Sequence, residues 1–342
     1  MSKARGLADL GNAFDDGAIT GSNMVINGAM NVAQRSSSVT GVTTTGYHVC
    51  DRWTYNRDGT EVITMSQEND APAEFYHSTK ILVTTADTSL PAGTHQRFET
   101  RLEAQDVRQL AHGTADAKQA TVSFWVKSNK TGSYSLGFYK DDVSGNNNIS
   151  QGYTINSSGT WEYKTLTFAA DTSNGFASTD ANKGLRVWFT LGANSDRTTG
   201  TANTWSTSST HRAVGQSVNL FDAVNNYWQI TGVCLNVGDS AIDFPHRSYG
   251  DELARSQRYY QNLLPNIDMP IVRSNSSDTL RRATVPLKVT MRSSPTAAIT
   301  NDTGNGTYAI ESAFVDAIRC RCTAITASSV ARITGLTADA EL

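Results

Sequence analysis

Apolar and polar residues alternate in short runs along most of this 342-residue chain, a pattern typical of β-strands with one buried face. In the run ATVSFWVKS, the apolar residues Val122, Phe124 and Val126 share one phase, and GLRVWFTL repeats the pattern with Leu185 and Val187. Similar runs occur at YSLGFY, EVITM and KILVT, and the segments between them, such as KTGS, SGNNN and TSNG, favour tight turns. The pattern predicts a mainly β protein, built as a β-sandwich or jelly roll.

One strand carries an interruption in its alternation. In YWQITGVCLNV, Trp228 and Ile230 share one phase, whereas Val233 and Leu235 share the other, so the pattern shifts by one residue beside Gly232. An extra residue in a strand re-aims every side chain after it, and glycine accepts the backbone angles that such a residue needs. We therefore predict a β-bulge here, which keeps both apolar pairs in the core.

The ends of the chain differ from its centre. The segment DDGAITGSN is rich in turn-forming residues and cannot build a core of its own, while DELARSQRYYQNL has Leu253, Gln257 and Tyr260 near helical spacing. Runs such as TVPLKVTM and VARITGL indicate strands after this helix. The sequence predicts three parts: an N-terminal arm over residues 1–23, a jelly-roll β-sandwich over 24–247, and a small C-terminal helix-plus-strands region over 248–342.

Composition and charge narrow the functional classes. The chain is 38% hydrophobic with a formal net charge of -3, so it can bury a core and lacks the basic excess of nucleic-acid-binding proteins. No apolar run reaches the roughly 18 residues of a membrane span, and MSKARGLADLGN lacks the apolar run of a secretory signal. We expect a protein that is made in the cytoplasm, binds no nucleic acid and does not insert into a membrane.

The cysteines indicate neither a disulfide scaffold nor a zinc site. The four residues, Cys50, Cys234, Cys320 and Cys322, are widely scattered apart from one pair with a single residue between them. Zinc sites use a longer gap between paired cysteines. Reduced, partly buried thiols are the expected state.

Catalytic and metal-binding patterns are weak. Glu99 and Glu103 would share one strand face with Arg97 and Arg101, and such a mixed-charge row predicts a solvated sheet surface rather than a catalytic carboxylate pair. Motifs for metal, nucleophile or nucleotide chemistry are missing from the sequence. We predict no enzyme activity, no cofactor and no metal site. A structural Ca²⁺ near Asp141, Asp142 and residues 146–148 is left open without being predicted.

Three tryptophans are the glycan-binding candidates, because exposed aromatic rings stack on sugar faces. Trp205 lies in the polar segment TANTWSTSST and is the first candidate. Trp125 and Trp188 occupy the polar phase of their strands. For these two rings we favour coverage by the arm, the C-terminal region or another subunit, because large aromatic side chains are mostly buried.

The corner HRSYGDELARSQRYY is polar and aromatic. Arginine and tyrosine side chains at the end of a sandwich favour a structural joint between domains or subunits, since they pack and hydrogen-bond within the protein. A glycan or anion site on the same side chains is the alternative. The predicted joint residues are Arg247, Tyr249, Arg255, Arg258, Tyr259 and Tyr260.

Several segments in fixed order resemble a family of bacteriophage tail-fibre or fibre-like virion proteins. They are RGLADLGN, NMVINGAMNVAQRS, CDRWTYN, SFWVKSNKTGSYS, WQITGVCLNVG, HRSYGDELARSQRYY, PLKVTMRSSPT and TADAEL. The central region also resembles the jelly-roll carbohydrate-binding modules that such fibres carry.

The resemblance implies a virion component on the particle exterior. The N-terminal arm would attach to other tail or capsid proteins, and the sandwich would face host surface glycans. Fibres of this family are usually homotrimers, and an arm without a core and two tryptophans on polar strand faces agree with subunit contact. The alternative is a non-catalytic capsid-surface fibre, decoration or adaptor protein, and a glycan-cleaving tailspike is less favoured.

Overall fold

The computed structural model describes residues 23–141, 147–176, 179–263, 267–269, 281–303, 307–323 and 331–342. Apart from Asn23, the predicted arm lies outside the described residues. The Asn23 side chain is buried and bonds to strand backbone, with its amide donating to Val233 O at 3.0 Å. The chain divides into two compact units, Met1–Arg247 and Ser248–Leu342.

The first unit is a sandwich of two antiparallel sheets. The six-stranded sheet has the order β1 (Ser38–Val42), β3 (Val62–Glu68), β4 (Ser78–Thr85), β11 (Tyr227–Val237), β6 (Ala120–Ser128) and β9 (Glu162–Phe168). The five-stranded sheet has the order β2 (Trp53–Asn56), β5 (His95–Glu103), β10 (Lys183–Ala193), β7 (Gly132–Lys140) and β8 (Asn148–Ile155). Single 3₁₀ turns lie at Arg108–Leu110, Ser195–Arg197, Ser209–His211 and Leu220–Asp222.

The two sheets share one hydrophobic core. Phe98 of β5 meets Trp228 of β11 with ring centroids 5.9 Å apart, and Phe124 of β6 meets Phe189 of β10 at 5.0 Å. These side chains are fully buried, and Phe124 and Trp228 come from the apolar phases predicted from the sequence. The prediction of a mainly β jelly-roll sandwich is confirmed.

The second unit begins with the only helix of more than one turn among the described residues. Helix α1 (Tyr249–Gln257) is capped by Ser248, whose Oγ accepts from Asp251 N at 3.2 Å. Strand β18 (Ala331–Asp339) pairs with β12 (Tyr260–Leu263), β13 (Ile267–Met269) and β15 (Thr296–Thr303). A second sheet has the order β14 (Arg281–Pro286), β17 (Ala317–Thr323) and β16 (Thr307–Ala313).

The second unit has its own hydrophobic core. Its buried members include Leu263, Ile318 and Leu336, and Cys320 and Cys322 on β17 join them. All four cysteines of the chain are buried free thiols. Burial raises the pKa of Cys50 to about 12, so this thiol stays protonated at neutral pH.

Strand β11 contains the predicted irregularity. Its register against β6 shifts between Thr231 and Cys234, and Gly232 has φ +63°. Trp228 and Ile230 before the shift and Val233 after it are all fully buried. The bulge therefore places both apolar phases in the core, as the sequence indicates.

Substitution of Gly232 by alanine should destabilise the sandwich by about 2–4 kcal/mol, from left-handed backbone strain and steric overlap together. An added Cβ would stand 2.6 Å from Cζ of the Phe75 ring. Gly41→Ala is the matched control, because Gly41 has φ +68° but open space around it. We expect it to cost only about 1 kcal/mol. If urea unfolding shows that both variants lose the same free energy of unfolding, the predicted steric overlap with Phe75 is wrong.

Candidate functional site

The three candidate tryptophans lie in three different places. Trp188 is only 2% exposed on the outer face of the five-stranded sheet. Its ring faces are therefore not open to a sugar, and its predicted stacking role is wrong. Within its own unit, Trp188 contacts His95, Tyr139 and the loop at Arg212.

Trp205 is half-buried and packs against the sandwich core. Its indole donates to Ala169 O at 2.8 Å, and the Lys140 ammonium lies 4.3 Å from the ring centroid. Lys140 is fully buried and donates to Asp171 Oδ2 at 2.7 Å. Trp205 therefore encloses an internal ion pair, which occupies one face of its ring.

Trp125 lies on the outer face of the six-stranded sheet and is half-buried. Its ring is 5.3 Å from that of Tyr163, and Tyr163 is 46% exposed. Of the three candidate tryptophans, Trp125 therefore lies beside an exposed aromatic ring, that of Tyr163.

The predicted joint residues divide between the two units. Arg247 belongs to the first unit, where its guanidinium donates to Asn23 O at 2.8 Å. In the second unit, Tyr259 and Tyr260 are buried, while Tyr249 and Arg255 are exposed. Arg258 ends α1, and its carbonyl accepts from Arg292 N at 3.0 Å. Arg247 thus ties the end of the first unit to its beginning, and the role of the set as a joint stays a prediction.

The described part of the chain contains a pocket that the sequence did not single out. This arginine pocket opens on the outer face of the five-stranded sheet and has a volume of about 100 Å³. It is lined by His95, Arg97, Tyr139, Arg186, Trp188 and Arg212. Five of these six residues were not among the predicted site residues.

Strand pairing brings the pocket residues together. In the β5–β10 register Arg97 is opposite Thr190 and Glu99 is opposite Trp188, and in the β10–β7 register Arg186 is opposite Tyr139. Residues directly opposite one another on neighbouring strands lie on the same face. The sequence does place arginines two positions from Glu99 on β5 and two positions from Trp188 on β10. Only the strand order shows that these residues meet on one face of the sheet.

Glu99 lies below the pocket with no exposed surface. Its carboxylate accepts from Arg97 Nε at 2.7 Å and from Arg101 Nη2 at 2.8 Å, and Arg186 Nη1 stands 3.7 Å away. The predicted solvated charge row is therefore wrong, since both Glu99 and Glu103 are fully buried. Guanidinium groups replace water as the partners of the buried carboxylate.

A glycine and a loop set the position of Trp188. A Cβ at Gly137 would stand 2.5 Å from Nε1 of Trp188, so only glycine lets the indole lie across β7. The indole donates to Arg212 O at 3.1 Å. The loop around Arg212 is fixed on β8, where Ser150 Oγ donates to His211 O at 2.6 Å and accepts from Val214 N at 2.8 Å.

His95 forms the inner end of the pocket and is 2% exposed. Its Nε2 is 2.9 Å from Thr190 Oγ1, and its ring meets Trp188 edge-on with centroids 5.2 Å apart. Burial lowers the pKa of this imidazole, and the charges of Arg97 and Arg212 lower it further. His95 is therefore neutral at neutral pH.

The calcium alternative finds no support in the described part of the chain. Asp141 is bound by Arg186, whose Nε donates to Oδ2 at 2.6 Å, and the Asn148 amide donates to Ser206 O at 3.0 Å. Asp142 and Asn146 lie outside the described residues. Among the residues described, no three His, Cys, Asp or Glu side chains come together in an arrangement that could hold a metal ion.

No helix within the described ranges has the length and hydropathy of a membrane span. No protein-family model and no curated protein sequence matches the chain. The solved structures that resemble it include the enzymatically active domain of tailspike protein 4 from bacteriophage CBA120, with a TM-score of 0.34 and 16% identity. That similarity covers 63% of this chain and only 21% of the tailspike chain.

Two isolated modules are also similar. A CBM4 carbohydrate-binding module matches 62% of this chain and 97% of its own length, with a TM-score of 0.34 and 13% identity. A family 11 carbohydrate-binding module from Clostridium thermocellum, solved with a β-1,3-1,4-mixed-linked tetrasaccharide, matches 61% of this chain and 99% of its own length, with a TM-score of 0.30 and 8% identity. At these identities the similarity concerns the fold alone.

The buried carboxylate below the pocket gives a pH-dependent prediction. Burial opposes ionisation of Glu99, but Arg97, Arg101 and Arg186 outweigh it and hold the pKa of this carboxyl below its ordinary value of 4.5. A carboxyl with a lowered folded-state pKa stabilises the fold above its ordinary pKa, and the stabilisation is lost as pH falls through the folded-state value.

We therefore expect Glu99→Gln to lower the free energy of unfolding by about 3 kcal/mol at pH 6–8. The difference from the unchanged protein should shrink steadily below pH 4.5. Glu74→Gln, the control at an exposed glutamate, should leave the free energy of unfolding unchanged both at pH 6–8 and below pH 4.5. A Glu99→Gln difference that stays constant down to pH 3 in urea unfolding would mean that the carboxyl is not held ionised.

Proposed function

We propose that this chain is a bacteriophage virion protein of the tail-fibre or receptor-binding type, and that its sandwich binds host surface glycans through the arginine pocket. The observation that carries the proposal is the pocket itself, a solvent-open hollow lined by hydrogen-bond donors on a rigid sheet. The sequence resemblance to phage fibres supplies the virion context.

The construction of the pocket suits recognition of a polar ligand. Its base is fixed from below by fully buried Glu99 and by Trp188 and His95, each 2% exposed. Side chains locked by packing and hydrogen bonds lose little entropy when a ligand binds, so their donors are preorganised. Glycans offer hydroxyl and substituent oxygens that accept from such donors.

We propose that the protein acts without catalysis at this site. Glycoside hydrolysis needs one carboxylic acid that can give up a proton and a second carboxylate across the sugar. Of the acidic groups that the structure describes close to the pocket, Glu99 and Asp141 are both held by arginines. The lowered pKa of Glu99 makes it a structural anion rather than a general acid.

We also propose attachment to the virion through the N-terminal arm, residues 1–23, and assembly as a homotrimer. The coverage of Trp188 within its own unit removes one reason for subunit contact, but the partly exposed Trp125 and Tyr163 pair remains. Clustered copies would turn weak single-site binding into strong attachment to a glycan surface. Mass photometry of the full-length chain should give three times the 36.9 kDa subunit mass, and a monomer at micromolar concentration would overturn the trimer.

Tyr139→Ala should weaken binding of the full-length protein to glycan-coated surfaces by about tenfold or more, equivalent to at least ~1.4 kcal/mol. Tyr139 forms one wall of the pocket and lies below the guanidinium groups of Arg186 and Arg212, at 5.3 and 5.6 Å from its ring centroid. A glycan array that includes extracts of bacterial surface polysaccharide is the measurement.

Tyr76→Ala is the matched control, because Tyr76 is 78% exposed and does not line the pocket. Equal binding by both variants would place the glycan site elsewhere. A protein that binds no glycan on the array, yet is incorporated into virions, would support the capsid-surface, decoration or adaptor role instead.

A further inference from the structure

The charge of the arginine pocket indicates what kind of sugar it accepts, provided that the proposed glycan binding holds. Among the described residues, the six that line the pocket include three arginines and no acidic side chain. Glu99 and Asp141, whose carboxylates pair with two of these arginines, do not line the pocket. Guanidinium groups are therefore the charged groups among the residues that line it.

Several arginine side chains lie close together around the pocket. Four guanidinium groups, those of Arg97, Arg101, Arg186 and Arg212, lie together on this face. Two carboxylates, Glu99 and Asp141, bind them at close range. A third, from Asp58, is 3.9 Å from Arg97 and 40% exposed. Within the described part of the chain, the ion pairs of Arg97, Arg101 and Arg186 use these three carboxylates, and the Asp58 carboxylate is partly in solvent.

Titration of two lining groups supports an electropositive pocket. Burial lowers the pKa of Arg212, and repulsion from Arg197, Arg97 and Arg186 lowers it further. The neutral state of His95 has the same two causes. A bound anion would relieve this repulsion, because opposite charges favour the ionised state of a guanidinium.

The geometry disfavours recognition of a neutral sugar by stacking. The indole of Trp188 is buried, and Arg186 and Arg212 lie over the Tyr139 ring. Arg186 donates Nε to Asp141 at 2.6 Å, but its Nη1 is 3.7 Å from Glu99, beyond hydrogen-bond length. The pocket thus offers guanidinium N–H groups rather than open aromatic faces.

The size of the pocket fits a substituent rather than a whole sugar ring. A volume of about 100 Å³ corresponds to roughly three water molecules at ~30 Å³ each. A carboxylate or phosphate group occupies a similar space, with the attached ring left at the opening. We infer that the arginine pocket binds the negatively charged substituent of an acidic sugar, either a uronic-acid-type carboxylate or a sugar phosphate.

The test compares clustered sugars that share one ring and differ in the group at C6, which is neutral, a carboxylate or a phosphate. Full-length protein is passed over surfaces that carry glucose, glucuronic acid or glucose 6-phosphate, with inorganic phosphate as a soluble competitor. We expect binding to one or both acidic surfaces at least tenfold stronger than to glucose, and a loss of that difference as ionic strength rises. The acidic surface that binds more strongly identifies carboxylate or phosphate as the ligand group.

Charge variants assign this binding to the pocket. Arg212→Gln should reduce binding to the acidic surface at least tenfold, whereas Arg212→Lys should retain part of it. Arg108→Gln makes the same charge change at an exposed arginine outside the pocket and should leave binding unchanged. If Arg212→Lys still binds, the loss of binding in Arg212→Gln comes from the lost charge and not from unfolding. If both Arg212 variants unfold, the salt dependence of binding by the unchanged protein decides the question.

The remaining outcomes separate the inference from the proposed function. Equal binding to glucose and to the acidic sugars, without salt dependence, would overturn the inference and leave glycan binding intact. Binding to bacterial polysaccharides on the array, without binding to the surfaces that carry acidic sugars, would also overturn the inference and leave glycan binding intact. Binding to no glycan in either experiment would overturn the proposed function. Competition by inorganic phosphate as effective as that by the acidic sugars would exclude the sugar ring from recognition.

Discussion

The outer face of the five-stranded sheet depends on the buried carboxylate of Glu99. An ionised carboxylate without water is strongly unfavourable unless cationic hydrogen-bond donors surround it. Here Arg97 and Arg101 bind it directly, and Arg186 stands nearby. One buried anion therefore holds a layer of guanidinium groups on a sheet face that would otherwise be solvated.

That layer determines how the neighbouring aromatic residues are used. Trp188 lies between the arginines and the loop at Arg212, so its indole supports the pocket instead of stacking on a ligand. Gly137 makes room for the ring. A ligand in the pocket would therefore contact guanidinium donors rather than an open aromatic face. Such donors suit polar and anionic groups better than neutral sugar faces.

Local patterns were sufficient to predict the sandwich and the bulge at Gly232, because alternation and glycine conformation are properties of neighbouring residues. The pocket was not predictable in the same way. Arg97 and Arg186 meet only through pairing of strands β5 and β10, and Arg212 reaches them from a loop fixed by Ser150. The charged row of β5 was placed on one face, but its burial also depends on Trp188 and Arg186, which strand β10 brings alongside. The contact of Trp205 with Lys140 was not predictable for a related reason, since Lys140 comes from β7 and is fully buried.

The most direct test of the outer-face pocket is the indole N–H signal of Trp188 during titration of the ¹⁵N-labelled full-length chain with glucuronic acid. The chain has six tryptophans, and Trp188 is the one that lines the pocket. A ligand held by Arg212 should move the Trp188 signal, because this indole donates to the Arg212 carbonyl. The signals of Trp125 and Trp205 should stay unchanged. Movement of the Trp125 signal with a constant Trp188 signal would contradict the pocket and transfer ligand binding to the six-stranded sheet.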